Sequence, residues 1–172
     1  GQNFTWTGYH FAGWPLRVSR EHRATVSGVA SSLFTTDRML YDHSGRVTHK
    51  YHKINNNAEI LVSQQTYNET DQVITKTLGT TVQTINYTYN VRGWLRGINE
   101  VVAGNDLFFM KLSYESPHAN VSAAACRNGN ISSIEWNKTG APKSVYGFQY
   151  DALNRMTHAI YGEGPTATSN PG

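Results

Sequence analysis

The chain has 172 residues, of which 38% are hydrophobic and 12% aromatic, with 10 tyrosines, 4 tryptophans and a formal net charge of +3. That length suits one domain with a core, and a small, scattered basic excess without a Lys/Arg run argues against nucleic acid as a partner. The single cysteine, Cys126, excludes an intramolecular disulfide, and no apolar run approaches the roughly 18 residues of a membrane-spanning helix.

Alternating apolar and polar residues predict strands nearly throughout. The first, Asn3 to Gly8, sets Phe4 and Trp6 against Thr5 and Thr7. Strands follow over Trp14–Glu21, Phe34–Tyr41, Arg46–Lys53, Ala58–Tyr67 and Gln72–Leu78, with turns signalled at Asn55-Asn56-Asn57 and Gly79-Thr80. Gln83 to Asn90 places Ile85, Tyr87 and Tyr89 on one face, and Trp94–Ile98 is a short strand. Phe108 to Tyr114 alternates Phe108, Met110, Leu112 and Tyr114 on one side. Asn120 to Cys126 is too short and too unpatterned for a helix, and reads as a loop carrying at most one turn. After a turn at Asn128-Gly129, strands are predicted over Asn130–Trp136, Tyr146–Tyr150 and Arg155–Tyr161. The expected organisation is one β-sheet domain over residues 1–161 and a flexible tail over 162–172, rich in Gly and Pro.

Five copies of one six-residue phrase separate these strands: Tyr9 to Trp14, Tyr41 to Arg46, Tyr67 to Gln72, Tyr89 to Trp94 and Tyr150 to Arg155. The second place holds Asp42, Asn68, Asn90 and Asp151, with His10 in the first copy. The fifth holds Gly13, Gly45, Asp71, Gly93 and Asn154, residue types that tolerate φ > 0. The phrase therefore predicts a type I turn with a G1 bulge, closed by the second-place side chain accepting backbone N–H groups two and three residues on. At Gly45 and Gly93, valine is expected to destabilise and asparagine to be tolerated far better. Such hairpins in succession make an antiparallel meander, in which each repeat tyrosine is expected to stack on its counterpart in the next hairpin.

With Tyr150-Asp151-Ala152-Leu153-Asn154-Arg155-Met156-Thr157 as its clearest copy, the chain resembles the RHS or YD-repeat family. Tyr89-Asn90-Val91-Arg92-Gly93-Trp94-Leu95 and Gly129-Asn130-Ile131-Ser132 resemble the variant of large secreted bacterial members. The resemblance runs from Tyr9 to Tyr161, with tyrosine spacings of 32, 26, 22 and 61 residues and one unit, around Tyr114 to Ile131, that has lost its phrase. It implies a twisted, curved sheet that is an open segment of a shell around a cargo domain, as in teneurins and Tc toxins. The implied partners are the rest of a parent repeat chain and its cargo, and the implied location is extracellular or at the bacterial cell surface. Lacking an initiator Met, the chain reads as a piece of something longer. The family's self-cleaving aspartyl motif has no match in this sequence. Self-association through unpaired sheet edges is also expected.

No catalytic residue, metal site or cofactor is assigned. His43, His49 and His52 cluster around the second hairpin, but a three-residue spacing sends His49 and His52 to opposite faces of a strand. Asp42 and Asp151 could pose as the carboxylates of a glycosidase, yet their turn-closing place already accounts for them. Cys126 has no nucleophile signature around it. Six Asn-x-Ser/Thr sequons, at Asn3, Asn68, Asn86, Asn120, Asn130 and Asn137, follow from an Asn- and Thr-rich composition. Trp6, Trp14, Trp94 and Trp136, with the repeat tyrosines, are candidates for a surface that stacks against sugar rings, Trp14 and Trp94 in the sixth place of their phrases foremost among them. A non-catalytic structural module is thus the first reading, a carbohydrate-binding surface domain the second and a hydrolase the least favoured.

Overall fold

The computed structural model describes residues 1–100, 107–164 and 168–169. It is all-β, and no helix occurs among the described residues. The chain divides into two compact units, Gly1–Thr84 and Ile85–Gly172. The first carries β1 (Gln2–Tyr9), β2 (Pro15–Val26), β3 (Val29–Tyr41), β4 (Val47–Ile54), β5 (Ile60–Tyr67) and β6 (Val73–Leu78). The second carries most of β7 (Gln83–Tyr89), then β8 (Leu95–Ile98), β9 (Phe108–Ser113), β10 (Ser133–Lys138), β11 (Ser144–Tyr150), β12 (Met156–Glu163) and β13 (Thr168–Ser169). Within each unit every strand pairs antiparallel with its sequence neighbour, which is the expected meander of hairpins.

Two features differ from the sequence expectation. The β2–β3 hairpin is longer at its tip, because Ser27 and Gly28 both take positive φ (51° and 81°). A two-residue turn of that kind matches the right-handed twist of its strands and lets pairing continue to Val26↔Val29. At the other end of the chain, β12 reaches Glu163, and Thr168 and Ser169 pair with Glu163 and Gly162. Part of the expected tail is therefore strand, and residues 165–167 and 170–172 lie outside the described residues.

Burial differs sharply between the units. In the first, Ser63 is the one buried residue among the described residues, and Phe4, Trp6, Leu33, Phe34 and Leu40 are exposed. Its sheet is held by cross-strand pairs instead of an enclosed core. In the second, the long segment between β9 and β10 lies over β11: Val121 and Val145 pack together at 6% and 0% exposure. Gly147 makes room for it, since a Cβ there would sit 2.7 Å from Val121 Cγ2. Residues 120–126 contain no helix. Two buried serines are satisfied by backbone: Ser132 Oγ donates to the Ser113 carbonyl and Ser133 Oγ accepts the His118 N–H, each at 2.9 Å.

Two asparagines clasp strand ends in the same way. Asn55 (φ 49°) accepts the Phe34 N–H on Oδ1 and donates its own N–H to the Phe34 carbonyl, at 2.8 and 2.7 Å. Asn99 (φ 52°, 1% exposed) makes the same pair with Asn86, at 2.8 Å each, and donates Nδ2 to the Phe108 carbonyl. Asparagine suits both places because it tolerates the left-handed region and carries an acceptor of the right reach.

Candidate functional site

The residues that distinguish this chain gather at the hairpin turns. All five fifth-place residues take positive φ: Gly13 87°, Gly45 82°, Asp71 64°, Gly93 78° and Asn154 62°. In each turn the fifth N–H donates to the second-place carbonyl, and the second N–H to the sixth-place carbonyl. The second-place side chain closes the turn, though on N–H groups two and four residues on. Asp42 Oδ1 accepts from Ser44 and Arg46, Asn68 Oδ1 from Thr70 and Gln72, Asn90 Oδ1 from Arg92 and Trp94, and Asp151 Oδ1 from Leu153 and Arg155, all at 2.9–3.0 Å. His10 manages only the first bond, from Ala12 N at 3.2 Å to Nδ1. The pairing slips by one residue beside every turn: Tyr41 faces Val47 and Leu40 faces His49, for instance, so the extra residue, Thr48, is a bulge on the outgoing strand.

Successive turns are joined by a recurring set of contacts. The repeat tyrosine donates its hydroxyl to the carbonyl that follows the previous turn: Tyr41 to Pro15 at 2.8 Å, Tyr67 to Val47 at 2.7 Å, and Tyr150 to Ile131 at 2.8 Å. Tyr114 does the same to Leu95 at 2.8 Å. The unit around Tyr114 has therefore kept its tyrosine and taken an insertion within its turn. Burial raises the phenol pKa values of Tyr41, Tyr67, Tyr89, Tyr114 and Tyr150.

What meets the tyrosine ring is the sixth-place side chain of the preceding turn, where the sequence suggested tyrosine on tyrosine. Trp14 packs on Tyr41 with ring centroids 5.3 Å apart, the Arg46 guanidinium lies 4.7 Å over Tyr67, and Trp94 packs on Tyr114 at 5.1 Å. The structure thus places Trp14 and Trp94, the foremost sugar-stacking candidates, against protein rings, both half-buried. The sixth place also meets the fifth place of the next turn. Trp14 covers Gly45 and Trp94 covers Gly129, while Arg46 Nη1 reaches Asp71 Oδ1 at 2.6 Å. In the last joint, Asn128 Nδ2 and Asn130 Nδ2 lie 2.6 and 3.5 Å from Asn154 Oδ1. Ring over glycine, cation on carboxylate and amide on amide are each matched in size and charge.

Asp37, Asp42, Asp151, His49 and His52 take structural partners. Asp42 and Asp151 are held below the usual carboxylate range first by the backbone N–H of Arg46 and of Arg155, and their Oδ2 atoms accept Nε of the same arginines at 2.7 Å. His52 Nδ1 lies 2.9 Å from Asp37 Oδ1, and Arg20 Nη1 is 2.6 Å from Oδ2. Burial opposes ionisation of Asp37, but the hydrogen bonds from His52 and Arg20 outweigh it and keep the carboxyl low. This cluster ties β2, β3 and β4 together. His49 stacks beside Tyr51, at a centroid separation of 6.2 Å. Burial pushes the Cys126 thiol up, away from the reactive thiolate. Among the described residues no group of three or more His, Cys, Asp or Glu could hold a metal ion.

The fold has a solved counterpart. Over 88% of its length the chain is similar to the crystal structure of TcdB2–TccC3–Cdc42, with a TM-score of 0.57 and 15% identity. It spans 9% of that chain, and the likeness is one of fold. No family model and no curated protein matches in sequence.

Sequence reasoning missed the asparagine clasps and the role of Tyr114 in a joint, and it counted Trp6 among the possible stacking aromatics without singling it out. Trp6 is 49% exposed and lies beside Phe4 and Phe34, each with ring centroids 6.1 Å away. The signals were present: Ile-Asn closes both clasped strands, and Tyr114 ends an alternating run.

Proposed function

We propose that the chain is a non-catalytic structural and interaction module, a segment of an RHS-type hairpin strip in a secreted or cell-surface bacterial protein. It acts by pairing with the strands that flank it in a parent chain and by walling off or presenting a cargo domain. The observation that carries this reading is the turn-to-turn joint: the conspicuous Tyr, Asp, Arg and Trp residues are engaged in repeating one contact along the strip. The fold likeness to TcdB2–TccC3–Cdc42 supports it, as does the first unit, whose sheet carries no buried hydrophobic side chain among its described residues. The outer edge of β1 and the edge of the last hairpin, beyond β12 and β13, are proposed to pair with neighbours of the same kind, including second copies when the chain is isolated.

Limited proteolysis of the chain with its natural flanking sequence tests this. The strip is expected to resist cleavage and to protect an enclosed segment, with protection lost in Tyr41→Ala/Tyr67→Ala. Equal cleavage of that segment in both proteins overturns the wall. A second reading, glycan binding, is favoured by one observation only, the exposed Phe4–Trp6–Phe34 cluster. A glycan array with Trp6→Ala as control decides it.

A further inference from the structure

One buried polar atom of the second unit stands without a mate. Asn137, near the end of β10, turns Oδ1 away from solvent, and that oxygen has no hydrogen-bond partner among the described residues. Buried acceptors are partnered as a rule, so an orphan calls for a cause. Two residues back on the same face of the strand stands Glu135, whose side chain is 12% exposed and which lies opposite Lys111 on β9 and Val145 on β11. Lys143 places Nζ 2.5 Å from Glu135 Oε1, and His118 brings Nε2 to 3.9 Å from Oε2. The β10–β11 register, with Trp136 facing Ser144, sets Lys143 across the hairpin from Asn137, and the Lys143 carbonyl keeps to the sheet by accepting the Gly164 N–H at 3.0 Å. Residues facing each other in this way have Cβ atoms about 4.5–5.5 Å apart, within the reach of a lysine stem. On its other flank Asn137 faces the half-buried Phe109. A primary amine, a carboxamide and a carboxylate able to carry protons between them share one shielded corner of the sheet.

We propose that Lys143 and Asn137 join in an intramolecular isopeptide bond, with Glu135 as the acid–base group. Glu135 takes a proton from the Lys143 ammonium, and the free amine attacks Asn137 Cγ while Glu135 passes that proton to the unpartnered Oδ1. The next proton of the amine travels through Glu135 to Nδ2. The Cγ–Nδ2 bond then breaks, the carbonyl re-forms as its hydroxyl proton leaves, and the amide nitrogen departs as ammonium. One N–C bond is made and one is broken, and nothing is oxidised or reduced. Amine and amide held in one geometry react as a unimolecular pair, which removes most of the entropic barrier to joining them. Of the two lysines that face Glu135, Lys143 is the one whose Nζ reaches it. The step occurs once per chain, so it is a self-modification and not turnover. It closes the β10–β11 hairpin covalently beneath the segment that carries His118 and Val121, in a chain whose single cysteine allows no internal disulfide.

Mass spectrometry of the full chain decides it, because the cross-linked chain is lighter than its sequence by one ammonia. Folded wild type is expected to lose that mass on incubation after purification, and its tryptic digest to contain a branched peptide, uncut at Lys143, that joins Lys143 to Asn137. Glu135→Gln is expected to slow formation of the branched peptide about 10²–10⁴-fold, and Lys143→Arg, which keeps the charge, to abolish it, with circular dichroism verifying the sheet in each. A folded wild-type chain that keeps its full sequence mass, complete tryptic cleavage at Lys143, or a branch at Lys111 overturns the cross-link. Formation in Glu135→Gln at the wild-type rate overturns the part given to Glu135. None of these results bears on the proteolytic protection that tests the wall.

Discussion

Replacing Gly45 by alanine probes the joint between the first two turns more sharply than any other single change. Gly45 sits at φ 82°, where a Cβ costs about 1–2 kcal/mol. The same Cβ would lie 2.7 Å from Cε2 and 2.9 Å from Cη2 of Trp14 and closer still to Cζ2, so the indole must move. That ring is held between His10 and Tyr41, each with a centroid 5.3 Å away, and losing the tyrosine pair costs roughly 0.5–1.5 kcal/mol more. Gly45→Ala should therefore destabilise by about 1.5–3.5 kcal/mol, against about 1–2 kcal/mol for Gly13→Ala, whose Cβ meets open space. Gly45→Asn loses most of the φ penalty and keeps the collision, so it is no longer the benign change that the turn alone suggests. Urea unfolding followed by circular dichroism measures all three, together with the Trp14→Ala/Gly45→Ala cycle. With the indole gone, the second substitution should cost about 1 kcal/mol less than in wild type. An additive cycle, or equal losses for Gly45→Ala and Gly13→Ala, would refute the argument.

Asp42→Asn/Asp151→Asn should leave the turns intact at neutral pH, since Asn68 and Asn90 close equivalent turns. Because the folded carboxyls are depressed, their stabilisation is full above about 3.9, the ordinary aspartate pKa, and lost as pH falls through the lower folded values. The double variant should show a flatter acid limb below that point, read as melting temperature against pH, and an unchanged limb would count against the assignment. Gly147→Ala should destabilise the second unit by about 1–3 kcal/mol by overpacking Val121, and Val121→Ala in the same chain should restore part of it. A broad hydrolase screen should find no turnover that Cys126→Ala, His49→Ala or Asp151→Asn abolishes with the fold intact; one such loss would overturn the non-catalytic reading.

Local chemistry explains why so much of the fold was legible. A six-residue phrase that needs φ > 0 in its fifth place and an acceptor in its second specifies a turn whatever surrounds it, and alternation on either side specifies strands. Antiparallel order then follows from the shortness of the turns. Those relations all lie within a few residues of one another, and the sequence by itself determined them. The tertiary structure decided which turn side chain meets which. Trp14 finds Tyr41 and Gly45, and Arg46 finds Tyr67 and Asp71, across separations set by strand lengths that the phrase does not encode. The 61 residues between Tyr89 and Tyr150 looked like a lost repeat until the Tyr114 hydroxyl was placed on the Leu95 carbonyl, dividing them into 25 and 36. An insertion inside a turn erases the local signal while leaving the hydrogen bond between neighbouring strands in place, and that bond exists only once the strands have paired.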